Sequence, residues 1–506
     1  MRVNVIINGI KSPTYTNQTL YRGKNSREII VDRLSSMEPV NKIFLFTDDP
    51  EYRHENTQTI CRNDWNRSTF LSVAAEAAEG ETLLILHDDQ PFFDDQLALE
   101  MIRNHHRYRA DFSYADGYPD GLAGELLSPV IIPSLLTIRD PEDIFFPAWN
   151  RPVLRKPLFD LVKEDINAFD IETAIAEEDL RLLRIELRTD TKRNFLLCSG
   201  FAGLGAFDGS SSISDSVYRM IHQKPDLLRT IPAYFPIQIA GGCPQECEYC
   251  PYPKFGGPVL ERKDTMDPAE FDGLIEKIAS FAPESVIGIS LWGDPGNHPS
   301  LDEILDSVTA RERLALILET SGVNFPENSL RKIAELPESK VRCIHSLDST
   351  DETTYGRLRG RGYKNAIRTA ERLIELLGKR VYIQAVRMKE NEAEMESFYK
   401  NFTDKSSVII QKYDHFCGRQ PDKRVVDLSP LNRYPCWHIK RDFPILLNGD
   451  VRICREDIGG EMLLGNAFTE ELEAIWQKGL RIYIDHAEGQ YPELCRNCDE
   501  YYTFNF

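Results

Sequence analysis

The sequence of 506 residues lacks any run of 18 apolar residues, and its acidic side chains outnumber its basic ones. Without such a run, no segment is a candidate for a membrane-spanning helix. The formal net charge of −20 has the wrong sign for a general binder of nucleic acid or of anionic membranes. Residues 1–7 are typical of a β-strand and not of a signal peptide. We therefore expect a cytoplasmic protein that binds neither nucleic acid nor membranes.

Short-period repeats and coiled-coil heptads are missing as well, which excludes solenoid and coiled-coil architectures. A hydrophobic fraction of 42% is enough for sizeable cores, and the length predicts two to four domains. We predict an α/β protein with an N-terminal α/β domain, a connecting region, a central barrel and a small C-terminal cysteine-rich domain, at residues 1–145, 146–232, 233–425 and 426–506.

In the central region, strand-like segments alternate regularly with helix-like ones. The predicted strands are residues 235–240, 285–290, 314–318, 341–347, 381–387 and 407–411. Six strand–helix units predict a partial (β/α)6 barrel. In such barrels, the chemistry gathers at the carboxyl ends of the strands.

Most of the 11 cysteines are grouped, and the first group is the most informative. Cys243, Cys247 and Cys250 form a C-x3-C-x2-C loop directly after the first predicted barrel strand. Three thiolates hold three irons of a [4Fe–4S] cluster and leave the fourth iron open. An open iron can chelate an amine and a carboxylate, the two groups that S-adenosylmethionine offers. The spacing therefore predicts a cluster that takes part in chemistry.

Further motifs accompany the following predicted strands: Trp292-Gly293-Asp294-Pro295, Glu319-Thr320-Ser321-Gly322, Ser346-Leu347-Asp348 and Gln384. With the aromatic Tyr249 before its last cysteine, the cysteine loop resembles that of the radical S-adenosylmethionine (radical SAM) family. The resemblance implies that Cys243, Cys247 and Cys250 hold the catalytic cluster. It also implies reductive cleavage of S-adenosylmethionine to a 5′-deoxyadenosyl radical, which takes hydrogen from a substrate.

The resemblance also implies which residues contact the cofactor. Gly293 and Asp294 match the Gly-Gly-Glu-Pro-like segment that pairs with the methionyl amine, although Trp292 replaces a glycine and Asp294 is shorter than the usual acid.

Four more residues match positions that contact other parts of the cofactor in related enzymes. Ser346 and Arg359 match positions that hold the methionyl carboxylate. Glu319 and Ser321 lie where ribose or adenine is contacted. Gln384 and Tyr249 complete the predicted cofactor-binding set.

Simpler interpretations exist for several of these residues. Asp294 is also a common turn or cap residue. Gln384 can be an inward-facing barrel residue without a chemical role, and Arg359 can belong to a solvated basic surface. A zinc knot is a poor alternative for the cysteine loop, because structural zinc takes four ligands in two pairs.

The second cysteine group is Cys436, Cys454, Cys495 and Cys498, with 17, 40 and 2 residues between successive members. A hairpin with an Asn-Gly turn at 443–451 and a helix at 470–477 can bring the four thiols together. Four thiolates saturate a second [4Fe–4S] cluster, which suits electron transfer. A zinc site is the alternative.

The C-terminal pattern resembles the SPASM/twitch extension of radical SAM enzymes. The last cysteines of the full SPASM pattern are absent, which implies one auxiliary cluster, as in the twitch form of a radical aminocyclitol dehydrogenase. The remaining cysteines, Cys61, Cys198, Cys343 and Cys417, are scattered, and we interpret them as apolar packing residues.

In the N-terminal domain, Asp88 and Asp89 follow an apolar strand predicted at 82–86. This resembles the strand-end aspartate of nucleotidyltransferases and related sugar transferases, where carboxylates hold Mg²⁺ beside phosphates. The expected glycine-rich nucleotide loop is missing, so a catalytically silent relative and a solvated turn stay open as alternatives. The whole arrangement resembles the spiro-SPASM proteins.

We therefore expect a radical SAM enzyme that modifies or oxidises an unknown peptide, protein or small molecule. Its expected partners are S-adenosylmethionine and an electron donor such as a ferredoxin or flavodoxin. One alternative is a dehydrogenase of a small or nucleotide-linked sugar or alcohol. Others are a zinc-stabilised binding protein without turnover and a nucleotidyltransferase with a redox-sensing tail.

Overall fold

The computed structural model describes residues 2–138, 158–209, 211–256 and 261–503. The chain forms two compact units, one of Met1–Asp143 with Ala148–Thr230 and one of Ile231–Phe506 with Ile144–Pro147. The predicted boundary at 145/146 lies outside the described residues. Within the described ranges, we find no helix that is long and apolar enough to cross a membrane.

The first unit is a mixed sheet with helices. The described strands pair in the order β3-β2-β1-β4-β6-β5-β7. They are β1 (Val3–Gly9), β2 (Val40–Thr47), β3 (Gln58–Cys61), β4 (Thr82–His87), β5 (Phe112–Asp116), β6 (Glu125–Leu127) and β7 (Ile171–Ile175). The described helices are α1 (Ser26–Ser36), α2 (Arg67–Ala78), α3 (Asp95–Tyr108), α4 (Ile132–Thr137), α5 (Phe159–Val162), α6 (Lys192–Gly203) and α7 (Ile213–Gln223).

The centre of this sheet is parallel and fully buried. β1 pairs in parallel with β2 and β4, and every residue of β1 and β4 is buried. Burial on both faces explains the continuous apolar runs of these strands. Residues 158–209 and 211–230, which belong to the predicted connecting region, supply β7 and three of the helices and so form part of this unit.

The second unit contains a parallel sheet whose described strands follow one another in chain order. These strands are β8 (Tyr234–Pro236), β9 (Val286–Gly288), β10 (Ala315–Thr320), β11 (Val341–Ser346), β12 (Val381–Arg387) and β13 (Ser407–Lys412). The helices between them are α8 (Tyr252–Gly256), α9 (Pro268–Phe281), α10 (Leu301–Thr309), α11 (Glu327–Glu335), α12 (Glu352–Arg359), α13 (Tyr363–Leu377) and α14 (Met395–Phe402). Sequential parallel strands with intervening helices are the topology of a partial (β/α)6 barrel.

The helices begin where local chemistry favours it. At the start of α9, the Asp267 side chain accepts hydrogen bonds from the backbone N–H groups of Ala269 and Glu270, at 2.8 and 3.2 Å. Pro268 occupies the first turn, where its missing N–H costs nothing. The apolar face of α9 packs into the barrel core.

The C-terminal part of this unit contains β14 (Asp450–Arg452), β15 (Leu463–Asn466), α15 (Trp437–Arg441), α16 (Leu472–Lys478), α17 (Leu480–Ala487) and α18 (Glu493–Arg496). The predicted turn is present: Gly449 donates a hydrogen bond to the Leu446 carbonyl at 2.9 Å and has a φ of +84°. A Cβ at this position would meet Phe468 and Asn466. Glycine therefore suits the turn both because its φ is positive and because there is no space for a side chain.

The first barrel strand is shorter than predicted, and it also pairs with a distant part of the sequence. Ile237 still donates a hydrogen bond to the Gly288 carbonyl of β9 at 2.6 Å, while Ile445 donates one to the Pro236 carbonyl at 2.8 Å and Gln238 donates one to the Ile445 carbonyl at 2.9 Å. Ile445 also belongs to the barrel core. The C-terminal part is therefore built onto the edge of the barrel sheet.

Candidate functional site

A cavity of about 630 Å³, the main cavity, lies among the parallel strands of the second unit. Every residue that the sequence predicts for the catalytic cluster and its cofactor lines this cavity: Cys243, Cys247, Tyr249, Cys250, Gly293, Asp294, Glu319, Ser321, Ser346, Arg359 and Gln384. These residues come from separate loops and strands that are up to 141 positions apart in the sequence. Their convergence is the central structural observation on this chain.

The three thiols belong to one short segment, residues 241–250, which we call the thiol loop. Backbone hydrogen bonds hold this loop at both ends and in the middle. Gly241 donates to the Asp264 carbonyl at 2.8 Å, and Glu248 donates to the Leu358 carbonyl at 2.9 Å. A turn joins Cys250 to the Cys247 carbonyl at 3.0 Å. The loop is therefore shaped by contacts with the surrounding barrel.

The thiol loop suits a cationic ligand. Burial raises the pKa of Cys243 and Cys247, and it raises that of Cys250 to about 12. Thiolates are metal ligands, and a nearby positive charge favours their ionisation. The backbone N–H groups of Gln245 and Tyr252 partly offset the rise in pKa at Cys243 and Cys250. Backbone donors near ligand sulfurs are typical of iron–sulfur ligation.

Arg359 forms a buried polar group with Tyr249 and Asp348. Its Nη1 donates to Asp348 Oδ2 at 2.7 Å and to Tyr249 Oη at 2.6 Å, while its Nε donates to Gln245 Oε1 at 3.0 Å. Burial alone lowers the pKa of Arg359, but the neighbouring Tyr249, Cys247 and Asp348 outweigh it and the pKa is raised. Arg359 is only 4% exposed, so it is a fixed cation beside the thiol loop and not a solvated surface residue.

Asp294 uses all of its acceptor positions within the protein. Oδ1 accepts from Gly296 N at 2.8 Å and from Thr320 Oγ1 at 2.9 Å. Oδ2 accepts from Ser321 N at 2.8 Å and from Ser321 Oγ at 2.6 Å. This carboxylate ties the loop after β9 to the loop after β10. The contact of Asp294 with the methionyl amine stays a prediction. The hydrogen bonds of Asp294 position the neighbouring backbone of the loop after β9.

Gly293 is required by its surroundings. Its φ is +80°, and an added Cβ would lie 2.1 Å from the Ala240 carbonyl oxygen. The preceding Trp292 fills the space that the usual glycine would leave. Its ring stacks on Tyr252 at a centroid distance of 5.7 Å and contacts Phe416 at 5.8 Å. Trp292 thus closes one wall of the main cavity, a role that the sequence did not predict.

Glu319, Ser346 and Gln384 form a hydrogen-bonded row across three neighbouring strands. Ser346 Oγ donates to Glu319 Oε1, and Gln384 Nε2 donates to the same oxygen at 2.8 Å. Ser346 and Gln384 are register partners of β11 and β12. The row presents a carboxylate with preset geometry to the main cavity. The cofactor contacts of these three residues stay predictions.

The second predicted cysteine group also comes together. Cys436, Cys454, Cys495 and Cys498, which we call the auxiliary site, line a small second cavity, the C-terminal cavity. Burial raises the pKa of Cys436 and Cys454, and it raises that of Cys495 to about 12. The backbone N–H of Glu500 donates to Cys498 Sγ at 3.4 Å. This donor set again suits an iron–sulfur cluster.

The C-terminal cavity contains a fifth thiol that the sequence did not indicate. Cys417 lines it together with the auxiliary site. Its interaction with Cys498 lowers the pKa of Cys498. Cys417 lies 81 positions before Cys498 and outside any recognisable spacing, so the sequence analysis assigned it to apolar packing. Only the fold reveals this neighbourhood.

The two cavities share part of their walls. Arg455 follows Cys454 directly, and Glu500 lies two positions after Cys498, yet both line the main cavity. Lys412 at the end of β13 makes ion pairs with Glu500 and with Asp499, the latter at 2.9 Å. The segments that carry auxiliary-site thiols therefore also form the wall of the main cavity.

In the first unit, Asp88 and Asp89 are both fully buried, so they do not form a solvated turn. Asp88 Oδ2 accepts from Arg27 Nη2 at 3.2 Å, and Asp89 accepts from Arg188 Nη2 at 3.1 and 3.2 Å. Each carboxylate thus has its own arginine. Mg²⁺ binding by this pair stays a prediction, although two compensated carboxylates are weaker cation ligands than two free ones.

A thiol loop in a parallel barrel, together with a second group of thiols in the same unit, indicates an iron–sulfur protein with a barrel fold. A model of the radical SAM superfamily matches residues 237–402, and a model of the SPASM iron–sulfur cluster-binding domain matches residues 436–499.

The chain is also similar to individual proteins and to solved structures. An uncharacterised protein of Treponema pallidum (strain Nichols) is 36% identical over 363 residues, which cover 69% of this chain and 98% of that protein. The S-adenosyl-L-methionine-dependent 2-deoxy-scyllo-inosamine dehydrogenase of Niallia circulans is 21% identical over 270 residues, which cover 52% of this chain and 91% of that protein. The crystal structure of Streptococcus suis SuiB bound to the precursor peptide SuiA is 16% identical, covers 52% of this chain and 69% of that chain, and has a TM-score of 0.41.

The chain therefore contains a radical SAM domain and a SPASM domain. The first domain implies a [4Fe–4S] cluster and S-adenosylmethionine, and the second implies auxiliary iron–sulfur ligation. Members of this superfamily are enzymes, which counts against the alternative of a zinc-stabilised protein without turnover.

Proposed function

We propose that this protein is a radical SAM enzyme that takes hydrogen from its substrate inside the main cavity. The observation that carries the proposal is the convergence of the thiol loop and the predicted cofactor-binding residues on that one cavity. Cys243, Cys247 and Cys250 would hold the catalytic cluster, and the four thiols of the auxiliary site would hold the second one.

A reduced [4Fe–4S] cluster held by Cys243, Cys247 and Cys250 would supply the electron for cleavage of S-adenosylmethionine to methionine and a 5′-deoxyadenosyl radical, which would take a hydrogen atom from the substrate. The protein has to bind, orient and shield these groups. Arg359, fixed by Asp348 and Tyr249, offers a cation for a carboxylate. Glu319, held by Ser346 and Gln384, offers an oriented acceptor for hydroxyl or amino groups.

The walls of the main cavity support an oxidation or modification of a polar substrate. Charged side chains from the C-terminal part, among them Arg455 and Glu500, line the cavity beside apolar ones such as Ile410 and Phe416. Because Arg455 and Glu500 adjoin auxiliary-site thiols, a substrate bound here would lie close to the auxiliary site. This arrangement suits a reaction in which the substrate also loses an electron, with a ferredoxin or flavodoxin as the external donor or acceptor.

Two substrate classes fit this arrangement. One is a side chain of a peptide or protein, and the other is a small or nucleotide-linked sugar or alcohol. For the first unit we propose a relative of the nucleotidyltransferase fold that binds substrate without catalysis, because Asp88 and Asp89 are each neutralised by an arginine. A nucleotide-linked substrate would favour the second class.

The cleavage reaction is tested with anaerobically reconstituted full-length protein, dithionite and S-adenosylmethionine. We expect wild-type protein to contain about eight irons per chain and to form 5′-deoxyadenosine and methionine. Cys250→Ala should abolish 5′-deoxyadenosine formation and remove about four irons, because the catalytic cluster loses a ligand. Cys61→Ala, which changes an exposed thiol of the first unit, should match the wild type. A Cys250→Ala protein that still forms 5′-deoxyadenosine would refute the assignment.

The substrate class is tested by following deuterium. Deuterated peptide and deuterated metabolite pools are each incubated with the loaded enzyme, and mass spectrometry then measures deuterium in 5′-deoxyadenosine. Transfer from the peptide pool alone supports peptide or protein modification, whereas transfer from the metabolite pool alone supports the dehydrogenase alternative.

A further inference from the structure

Cys417 is the fifth thiol of the C-terminal cavity, and several contacts fix its position. It belongs to the segment of residues 414–420 that follows β13, whereas the auxiliary-site cysteines lie at 436 and beyond. Its side chain nevertheless lines the same cavity as theirs.

The backbone at Cys417 has an uncommon conformation. Phe416, Cys417 and Gly418 have φ values of +49°, +57° and +84°, so three successive residues are left-handed. Left-handed geometry is unfavourable for side chains such as phenylalanine and cysteine, and it persists only where the surroundings enforce it. Here the Asp414 carboxylate accepts from Phe416 N at 2.7 Å, and His415 Nδ1 accepts from Gly418 N at 2.8 Å.

The same turn is anchored to the segments that carry the auxiliary-site thiols. Arg455, next to Cys454, donates to the Asp414 carboxylate at 3.0 Å. His415 Nε2 lies 3.1 Å from a carboxylate oxygen of Asp499, the residue after Cys498. The turn is thus held from both sides by neighbours of auxiliary-site thiols.

The turn sends two consecutive side chains to two different cavities. Phe416 lines the main cavity and contacts Trp292, while Cys417 lines the C-terminal cavity. The left-handed turn therefore places the sulfur atom of Cys417 in the cavity of the auxiliary site.

We propose that Cys417 is a positioning residue of the auxiliary site: its thiol donates a hydrogen bond to the sulfur of the ligand Cys498. The proposal rests on the assignment of Cys436, Cys454, Cys495 and Cys498 as the auxiliary ligands. A thiolate bound to iron can only accept hydrogen bonds, so the proton of this pair belongs to Cys417. A donor to a ligand sulfur stabilises the extra negative charge of the reduced cluster and so raises its reduction potential.

The test uses full-length protein in which Cys243, Cys247 and Cys250 are alanine, so that the remaining iron signal comes from the auxiliary site. Cys417→Ala, Cys417→Ser and the matched control Cys343→Ala, a buried thiol in β11, are introduced into this background. Iron and sulfide content, the spin-resonance spectrum and the midpoint potential in a redox titration are then compared.

We expect all of these proteins to retain about four irons. Cys417→Ala should have a more negative midpoint potential and an altered spin-resonance spectrum, because the donor is lost. Cys417→Ser keeps a donor and should lie closer to the parent, and Cys343→Ala should equal the parent.

Three results would overturn the proposal. An unchanged midpoint potential in Cys417→Ala shows that the thiol does not act on the cluster. If Cys417→Ala loses iron while a further variant, Cys498→Ala, retains it, Cys417 is itself the ligand. Absence of iron in the parent protein removes the auxiliary assignment and this proposal with it, whereas cleavage of S-adenosylmethionine by the wild type is measured independently.

Discussion

Each unit places a group of anionic donors after a parallel strand, but the charge of those donors is balanced differently in the two units. In the first unit, Asp88 and Asp89 follow β4, and each is paired with an arginine. In the second unit, the thiol loop follows β8, and burial holds the pKa of its three cysteines above the ordinary value. Each acid has its own counter-ion, whereas the pKa values of the thiols stay raised even with Arg359 beside Cys247.

The difference separates a structural solution from a binding solution. An internal ion pair satisfies buried charge permanently and leaves little for a ligand to gain. Thiols that are only partly compensated are stable in the neutral form and become anionic when they bind a metal. Asp294 illustrates a third solution, because donors from Gly296, Thr320 and Ser321 meet its charge and turn it into a brace between two loops.

The largest effect is expected where the internal compensation of the first unit is removed. Arg188→Met leaves Asp89 buried without its ion pair, and breaking such a pair costs about 3–5 kcal/mol of unfolding free energy. Hydrogen exchange measured by mass spectrometry on peptides of β4 reports this loss, because a central strand exchanges through global opening of its unit.

The matched control is Arg181→Met, which removes ion pairs of Arg181, a residue with a 60% exposed side chain. Pairs of this kind contribute about 0–1 kcal/mol, so protection of β4 should barely change. The contrast between the two units is contradicted if Arg188→Met is as stable as the control. It is also contradicted if Mg²⁺ alone stabilises β4 in the wild type, because the two acids would then be a metal site.

The second prediction concerns the brace. In Asp294→Asn, one carboxylate oxygen becomes an amide nitrogen, which cannot accept from Ser321 N or Gly296 N. A buried donor left unsatisfied costs about 1–3 kcal/mol. If this cost falls on the binding loops, we expect the dissociation constant of S-adenosylmethionine, measured by calorimetry on cluster-loaded protein, to rise by a factor of roughly 5 to 100.

Asp267→Asn is the matched control, because asparagine caps a helix as well as aspartate does. Its affinity for S-adenosylmethionine should equal that of the wild type. Equal affinity in Asp294→Asn would show that the brace does not position the binding loops.

Much of the second unit could be predicted from the sequence. β12 has the predicted bounds, β11 and β13 differ by one residue, and β10 is displaced by one or two, because each strand carries a buried apolar run between clear helices. The thiol loop and the cofactor motifs follow these strands, so their convergence could be foreseen. The short bounds of β8 and β9 could not be foreseen, and neither could the pairing of Gln238 with Ile445, which spans more than 200 positions.

Other features depend on contacts that no local pattern contains. The partners of Asp89 and Cys417 lie 99 and 81 positions away, so neither the arginine pair nor the fifth thiol has a spacing that the sequence could show. Trp292 breaks the expected glycine pattern, and only its stacking between Tyr252 and Phe416 explains why a large ring fits there. The chemistry of the motifs could be predicted, whereas the ion pair that balances Asp89 and the placement of Cys417 and Trp292 could not.

The smallest predicted effect tests a fourth way of burying a polar group, which is to keep it neutral. His105 is 2% exposed, with Nδ1 2.7 Å from Ser113 Oγ and Nε2 3.1 Å from Ser128 Oγ. Burial, reinforced by His106, lowers its pKa to about 4. The unfolded chain binds a proton near pH 6.5, so stability is complete above that pH and falls as the pH drops towards 4. At pH 5.5 the loss amounts to about 1.4 kcal/mol.

Hydrogen exchange of β5 peptides at pH 7.5 and 5.5, corrected for the intrinsic exchange rate, measures this loss. His105→Gln cannot titrate and should lose about 1.4 kcal/mol less than the wild type over this interval. His222→Gln, which changes an exposed histidine of the same unit, should keep the wild-type dependence. If His105→Gln keeps that dependence too, neutrality at His105 does not contribute, and the first unit settles its buried charge through ion pairs such as Asp89 with Arg188.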